Sequence, residues 1–149
     1  GELDRLIASR FQGPQAPHPV PAEWKASVDG DVDLPEGCIP GSGFALRAKV
    51  RNEGKFAWFG GWWKPAYRIR IDWLDANDQV VPPAWGRVET NPLPETGVLA
   101  GETVELLLLG VTPGEPGDYR LVLRCESNMA AMPGGGIFYR HPHLVTISR

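Results

Sequence analysis

Five aromatic side chains crowd one stretch of this chain: Phe56, Trp58, Phe59, Trp62 and Trp63. Sugars present apolar C–H faces that stack on such rings, while their hydroxyls seek polar neighbours. A ring cluster beside polar groups therefore suits a glycan. Gly60 and Gly61 let the stretch bend sharply. A second stretch, 127–142, sets Phe138 and Tyr139 behind the glycines at 134–136. The expectation is a shallow platform that includes Trp58, Trp62, Trp63 and Tyr139, with at least two rings facing solvent. Rings that cap the core, or a protein-docking patch, are the competing uses of the same cluster.

Charge supplies a second candidate. Arg68 and Arg70 leave one alternating stretch on its polar side, and Arg120 and Arg124 leave another. If those stretches pair, four guanidiniums share one sheet face. That face would suit an anionic glycan or an acidic partner through bidentate contacts. The alternative is a solvated face balanced by Asp72 and Glu126. Asp29, Asp31, Asp33 and Glu36 have the spacing of a calcium loop, but Leu34 stands where the EF-hand pattern needs glycine. His141 and His143 flank Pro142 without a third ligand nearby, so no metal site is expected. No Gly-x-Ser-x-Gly, Walker loop or His-Glu-x-x-His occurs, and nothing sets a nucleophile beside a base. The reading is non-catalytic, with no cofactor.

The elements that must position these groups are short strands. Tyr119, Leu121, Leu123 and Cys125 alternate with arginine and valine, the mark of a half-buried strand. A Tyr opening such a strand after Pro-Gly-Glu-Pro-Gly-Asp at 113–118 has the form of a tyrosine corner, whose hydroxyl ties back to upstream backbone. Phe44 to Arg51 and Tyr67 to Trp73 alternate as cleanly. Trp24–Val32, Gln79–Val81, Arg87–Thr90, Val104–Val111 and His143–Ser148 complete the set. The fold class is all-β, an immunoglobulin-like antiparallel sandwich of seven to eight strands. In that order the two aromatic stretches are loops at one end of the sandwich. Leu3, Leu6 and Ile7 predict a short N-terminal helix, and the prolines of 13–21 a semi-rigid spacer. The expected division is 1–22, helix and linker, and 23–149, the sandwich.

The 149 residues suffice for one domain with its own core, and 18 glycines with 15 prolines fit many turns. A net charge of −3 argues against a nucleic-acid binder, and no apolar run is long enough to insert in a membrane. Cys38 and Cys125 read as two reduced thiols in a cytoplasmic protein, with a disulfide between them the alternative.

Several segments together resemble a known family. They are Val-Arg-Asn-Glu-Gly at 50–54, Trp58, Ile-Asp-Trp-Leu-Asp at 71–75, Leu93-Pro94, Ala-Gly-Glu-Thr-Val at 100–104 and Pro-Gly-Asp-Tyr-Arg-Leu at 116–121. This punctuation resembles bacterial immunoglobulin-like accessory domains attached to polysaccharide-biosynthesis or export proteins. More loosely, it is similar to the carbohydrate-binding C-terminal domain of O-antigen ABC-transporter ATPases. The resemblance spans about residues 40–148. It implies a non-catalytic carbohydrate-binding module of a cell-surface polysaccharide protein, cytoplasmic or held at the inner membrane face by its parent. The implied partner is a glycan chain or another subunit, with a homodimer left open. A protein-interaction or dimerisation domain without sugar affinity is the alternative.

Overall fold

The computed structural model describes residues 24–60, 66–85, 90–94, 96–128 and 131–149. The expected N-terminal helix and spacer lie outside them. The described chain is a β-sandwich of eight strands: β1 Ala26–Val28, β2 Gly43–Asn52, β3 Tyr67–Leu74, β4 Thr90–Pro92, β5 Thr103–Val111, β6 Gly117–Ser127, β7 Ile137–Arg140 and β8 Val145–Ile147. One sheet has the order β1-β2-β5. The other runs β4-β3-β6-β7, with β8 on β6, and all pairs are antiparallel. The only helical element among the described residues is a 3-10 turn, Pro133–Gly136. None of their helices is long and apolar enough to cross a membrane.

Sequence alternation explains the long strands. Leu46, Ala48 and Val50 of β2 face the core, while Arg47, Lys49 and Arg51 face out. Leu106 and Leu108 of β5 do the same, opposite Ile69 and Ile71 of β3 and Leu121 and Leu123 of β6. Burying each such Val, Leu or Ile side chain contributes about 1.5–3 kcal/mol, which offsets the entropy of ordering the strands. Gly110 sits tightly packed between the sheets: a Cβ there would come within 2.8 Å of Phe44 and 2.9 Å of Ile71.

Polar groups also join the layers. Trp73 Nε1 donates to Val111 O at 2.8 Å, tying β3 to β5. The buried Asn91 side chain donates to Ile69 O and Leu109 O and accepts from Leu109 N–H. The Tyr119 hydroxyl donates to Glu115 O at 2.9 Å, as the corner reading expects. The first strand is shorter than expected, because the chain turns away through Gly30 at φ 75°. Val80 makes only an isolated bridge to Leu74, and most of the short strand expected at 87–90 lies outside the described residues. Cys38 and Cys125 are free thiols, not a disulfide.

Candidate functional site

Two loops meet at one end of the sandwich, as the strand order predicts. Asn128 Oδ1 accepts from Ala66 N–H at 2.9 Å, and Asn128 N–H donates to Ala66 O at 3.2 Å. Ala66 closes the first aromatic stretch and Asn128 opens the second.

The first stretch is largely internal. Asn52 is fully buried; its amide donates to Phe56 O at 2.8 Å and Val98 O at 3.0 Å, and its oxygen accepts from Gly54 N–H. This pins the loop before Trp58 begins. Trp58 then exchanges backbone hydrogen bonds of 2.9 and 2.8 Å with Val98. Gly60 is fitted so closely that a Cβ would fall 2.1 Å from Leu93 O. Trp58 is 1% exposed and Phe59 is buried, so Trp58 is a core ring and not part of a solvent-facing platform. The correction has a plain cause: Val98, from a distant loop, makes a strand partner for a segment that alone reads as open loop. Trp62 and Trp63 lie outside the described residues. Tyr139 is half-buried, and its hydroxyl touches Asp31 Oδ1 at 3.2 Å and Val32 N–H at 3.3 Å. Burial raises its pKa first, and the Asp31 carboxylate adds to the rise.

The four arginines do share a face. Register sets Arg68 opposite Glu126, Arg70 opposite Arg124 and Leu74 opposite Arg120. The face is not a free cationic surface, however. Asp72, expected outward, is 5% exposed and sits between two guanidiniums. Its Oδ2 lies 2.8 Å from Arg70 Nε and 2.6 Å from Arg124 Nη1. The aligned hydrogen bond from Arg70 to Asp72 is Nη2 to Oδ1 at 3.0 Å, the Nε approach being Coulombic without good direction. Arg70 also reaches Glu126, and Arg120 donates to His141 O. Burial pulls the Arg70 pKa down, but the hydrogen bonds and charges of Asp72 and Glu126 outweigh it, so the group is held firmly charged. Arg68 donates to Thr90 Oγ1 at 2.9 Å and remains exposed.

What the second loop builds is a groove. Arg124 Nε donates to Gly135 O at 2.8 Å, and Gly134, Gly135 and Gly136 all take positive φ. Gly136 lies so close to β6 that a Cβ would fall 2.1 Å from Cys125 O. Glycine there lets the backbone approach the sheet and sets Met132, Ile137 and Phe138 beside Trp24. The Trp24 ring stacks on Trp58 at 4.5 Å and meets the edge of Phe138 at 5.3 Å. Trp24 and Phe138, with Met132 and Ile137, line a cleft of about 400 Å³ flanked by Lys25 and Glu53, while Trp58 lies beneath in the core. Trp24 Nε1 is buried and has no hydrogen-bond partner among the described residues. Across Met132 a second cleft of about 570 Å³ is lined by Arg124, Glu126, Ser127 and Asn128. Trp24 and Met132 were not among the expected site residues. Trp24 stands at the edge of an ordinary strand pattern, and nothing local says that its ring turns toward a loop 108 residues later.

Elsewhere Asp31 and His141 have structural partners, Asp31 in the Tyr139 hydroxyl. His141 is buried between Val32 O, 2.9 Å from Nε2, and the His143 N–H, 3.0 Å from Nδ1. Among the described residues no group of three or more His, Cys, Asp or Glu side chains is placed to hold a metal ion.

No family model and no curated protein matches this chain. Solved structures that resemble it include β-glucosidase 3B from Thermotoga neapolitana in complex with glucose and a β-glucosidase from Listeria innocua in complex with glucose. The first is 12% identical over 97% of this chain at a TM-score of 0.45. The second is 13% identical over 93% at 0.43. This chain spans 19% of the length of either glucosidase chain.

Proposed function

We propose that this chain is a non-catalytic, immunoglobulin-like accessory module that holds a glycan chain, as part of a bacterial protein of cell-surface polysaccharide synthesis or export. The observation that carries this reading is the groove around Met132. An aromatic cleft, Trp24 and Phe138, continues into a polar one, Arg124 to Asn128. That juxtaposition matches the two-sided chemistry of a sugar, apolar on its C–H faces and hydrogen-bonding at its rim. Two adjoining clefts suit successive residues of a chain better than one monosaccharide. The unmet Trp24 N–H would gain an acceptor from a sugar oxygen after a small ring rotation. The polysaccharide context follows from the family resemblance of residues 40–148.

A glycan array of neutral and acidic bacterial repeats, probed with wild-type protein and with Phe138→Leu, tests the reading. Binding by the wild type that Phe138→Leu weakens supports it. Binding to no glycan, or binding indifferent to Phe138, removes it. The alternative, a protein-interaction domain without sugar affinity, draws support from a different surface, the exposed strip of Leu107, Leu109 and Trp85.

A further inference from the structure

Strand β5 ends the smaller sheet, and its backbone parity shows which groups face away from that sheet. Asn52 N–H donates to Glu102 O and Thr112 N–H to Ser42 O, each at 2.9 Å. Even-numbered residues of β5 therefore bond β2, and Thr103, Glu105, Leu107, Leu109 and Val111 aim N–H and C=O outward. The upper part of this edge is closed. The Asn91 amide bonds both the N–H and C=O of Leu109, and Trp73 Nε1 takes Val111 O. Glu105 and Leu107 have no such partner among the described residues.

Side chains make the open part adhesive. Edges are normally guarded by lysine, proline, a bulge or a cover. Here Leu107 is 56% exposed and Leu109 50% on the outer face. Trp85, 51% exposed, extends the apolar strip over Gly43, the residue paired with Val111. The strip would be a poor surface to leave in water.

We infer that β5 is the seam of a homodimer, in which Glu105 and Leu107 pair antiparallel with Leu107 and Glu105 of a second copy. The open edge is self-complementary in this register, which is centred on Leu106. Four backbone hydrogen bonds form, the closed groups at Leu109 and Val111 stay as they are, and two three-stranded sheets become one of six strands. Charge fits as well. Arg47 Nη1 already lies 3.5 Å from Glu105 Oε1, and Lys49 stands opposite Glu105 on β2. In the pairing each Glu105 faces Leu107 of the second copy, with that copy's Arg47 next in the row. The two Glu105 carboxylates stand diagonal and never directly opposite. This seam is independent of the Met132 groove.

Sedimentation velocity of the whole chain across a concentration series, with amide exchange, tests the inference. The expected result is reversible monomer–dimer exchange, with the Glu105 and Leu107 amides slowed as dimer fills. Leu107→Lys leaves the β2 ladder untouched and should raise the dimer Kd roughly thirtyfold or more. A chain that stays monomeric to its solubility limit overturns the inference. So does a dimer in which the Glu105 and Leu107 amides exchange as fast as in the monomer, a result that needs no variant. A dimer whose Kd is unchanged in folded Leu107→Lys protein overturns it equally.

Discussion

Replacing Asp72 by Asn tests the view that the arginine face is an internal brace and not a free ligand surface. The change removes one negative charge and keeps the shape. In the native protein the carboxylate touches Arg70 Nε at 2.8 Å and Arg124 Nη1 at 2.6 Å, and it is 5% exposed. Both arginines are also mostly covered, with 15% and 21% of their side-chain surface exposed, so water screens the loss only in part. Removing one member of a buried ion pair costs about 3–5 kcal/mol. Arg70 keeps Glu126 and Arg124 keeps Gly135 O, which places the expected loss near the lower end, about 3 kcal/mol. For a chain of this length that lowers the thermal midpoint by roughly 6–12 °C. Urea unfolding should give a lower midpoint concentration at unchanged slope. A double-mutant cycle with Arg124→Gln should return a coupling of about 1 kcal/mol or more. A loss below about 0.5 kcal/mol would mean that the cluster behaves as an ordinary surface pair, and the brace argument would fail.

Two further outcomes follow from the packing. Tyr119→Phe deletes the hydroxyl that reaches Glu115 O and should cost about 1 kcal/mol in chemical denaturation; an unchanged stability would show that the corner bond contributes nothing. Burial, followed by the neighbouring Glu126 charge, raises the Cys125 thiol pKa far above its ordinary value. The folded chain then keeps a proton that the unfolded chain sheds once pH passes the unfolded thiol range, about 8.5. This group leaves stability unaffected below that range and lowers it as pH rises beyond, so Cys125→Ala should fall less steeply than wild type in alkaline unfolding series. Equal slopes would contradict the burial argument.

Most of the long strands were legible because both of their faces obey one rule. In β2, β3 and β6 apolar and polar residues alternate, and each alternation became a strand with the expected inward face, while β5 was legible as an apolar run between turn residues. Tyr119 was legible because its turn and strand are contiguous in sequence. The site was less so, since its parts are long-range. Trp58 looked like a loop ring until Val98 gave it a strand partner. Asp72 looked solvated because its alternation is right and its burial comes from Arg70 and Arg124 closing over it. Strand β7 hides behind a glycine run, is four residues long, and joins β6 across a register shift at Leu123 and Arg124. Trp24 acquires its place only when Phe138 and Met132 reach it from the far loop.

The central claim is that the Met132 groove takes a sugar chain against Trp24. The most direct measurement follows the Trp24 indole N–H resonance in ¹⁵N-labelled protein during titration with the glycan that the array selects. The account predicts a saturable shift as the unpartnered donor finds an acceptor. It also predicts that Trp24→Phe, which keeps a ring on Trp58, weakens binding by about 1–3 kcal/mol. A Trp24 resonance that stays still while the glycan binds elsewhere, or an affinity unchanged by Trp24→Phe, would contradict it.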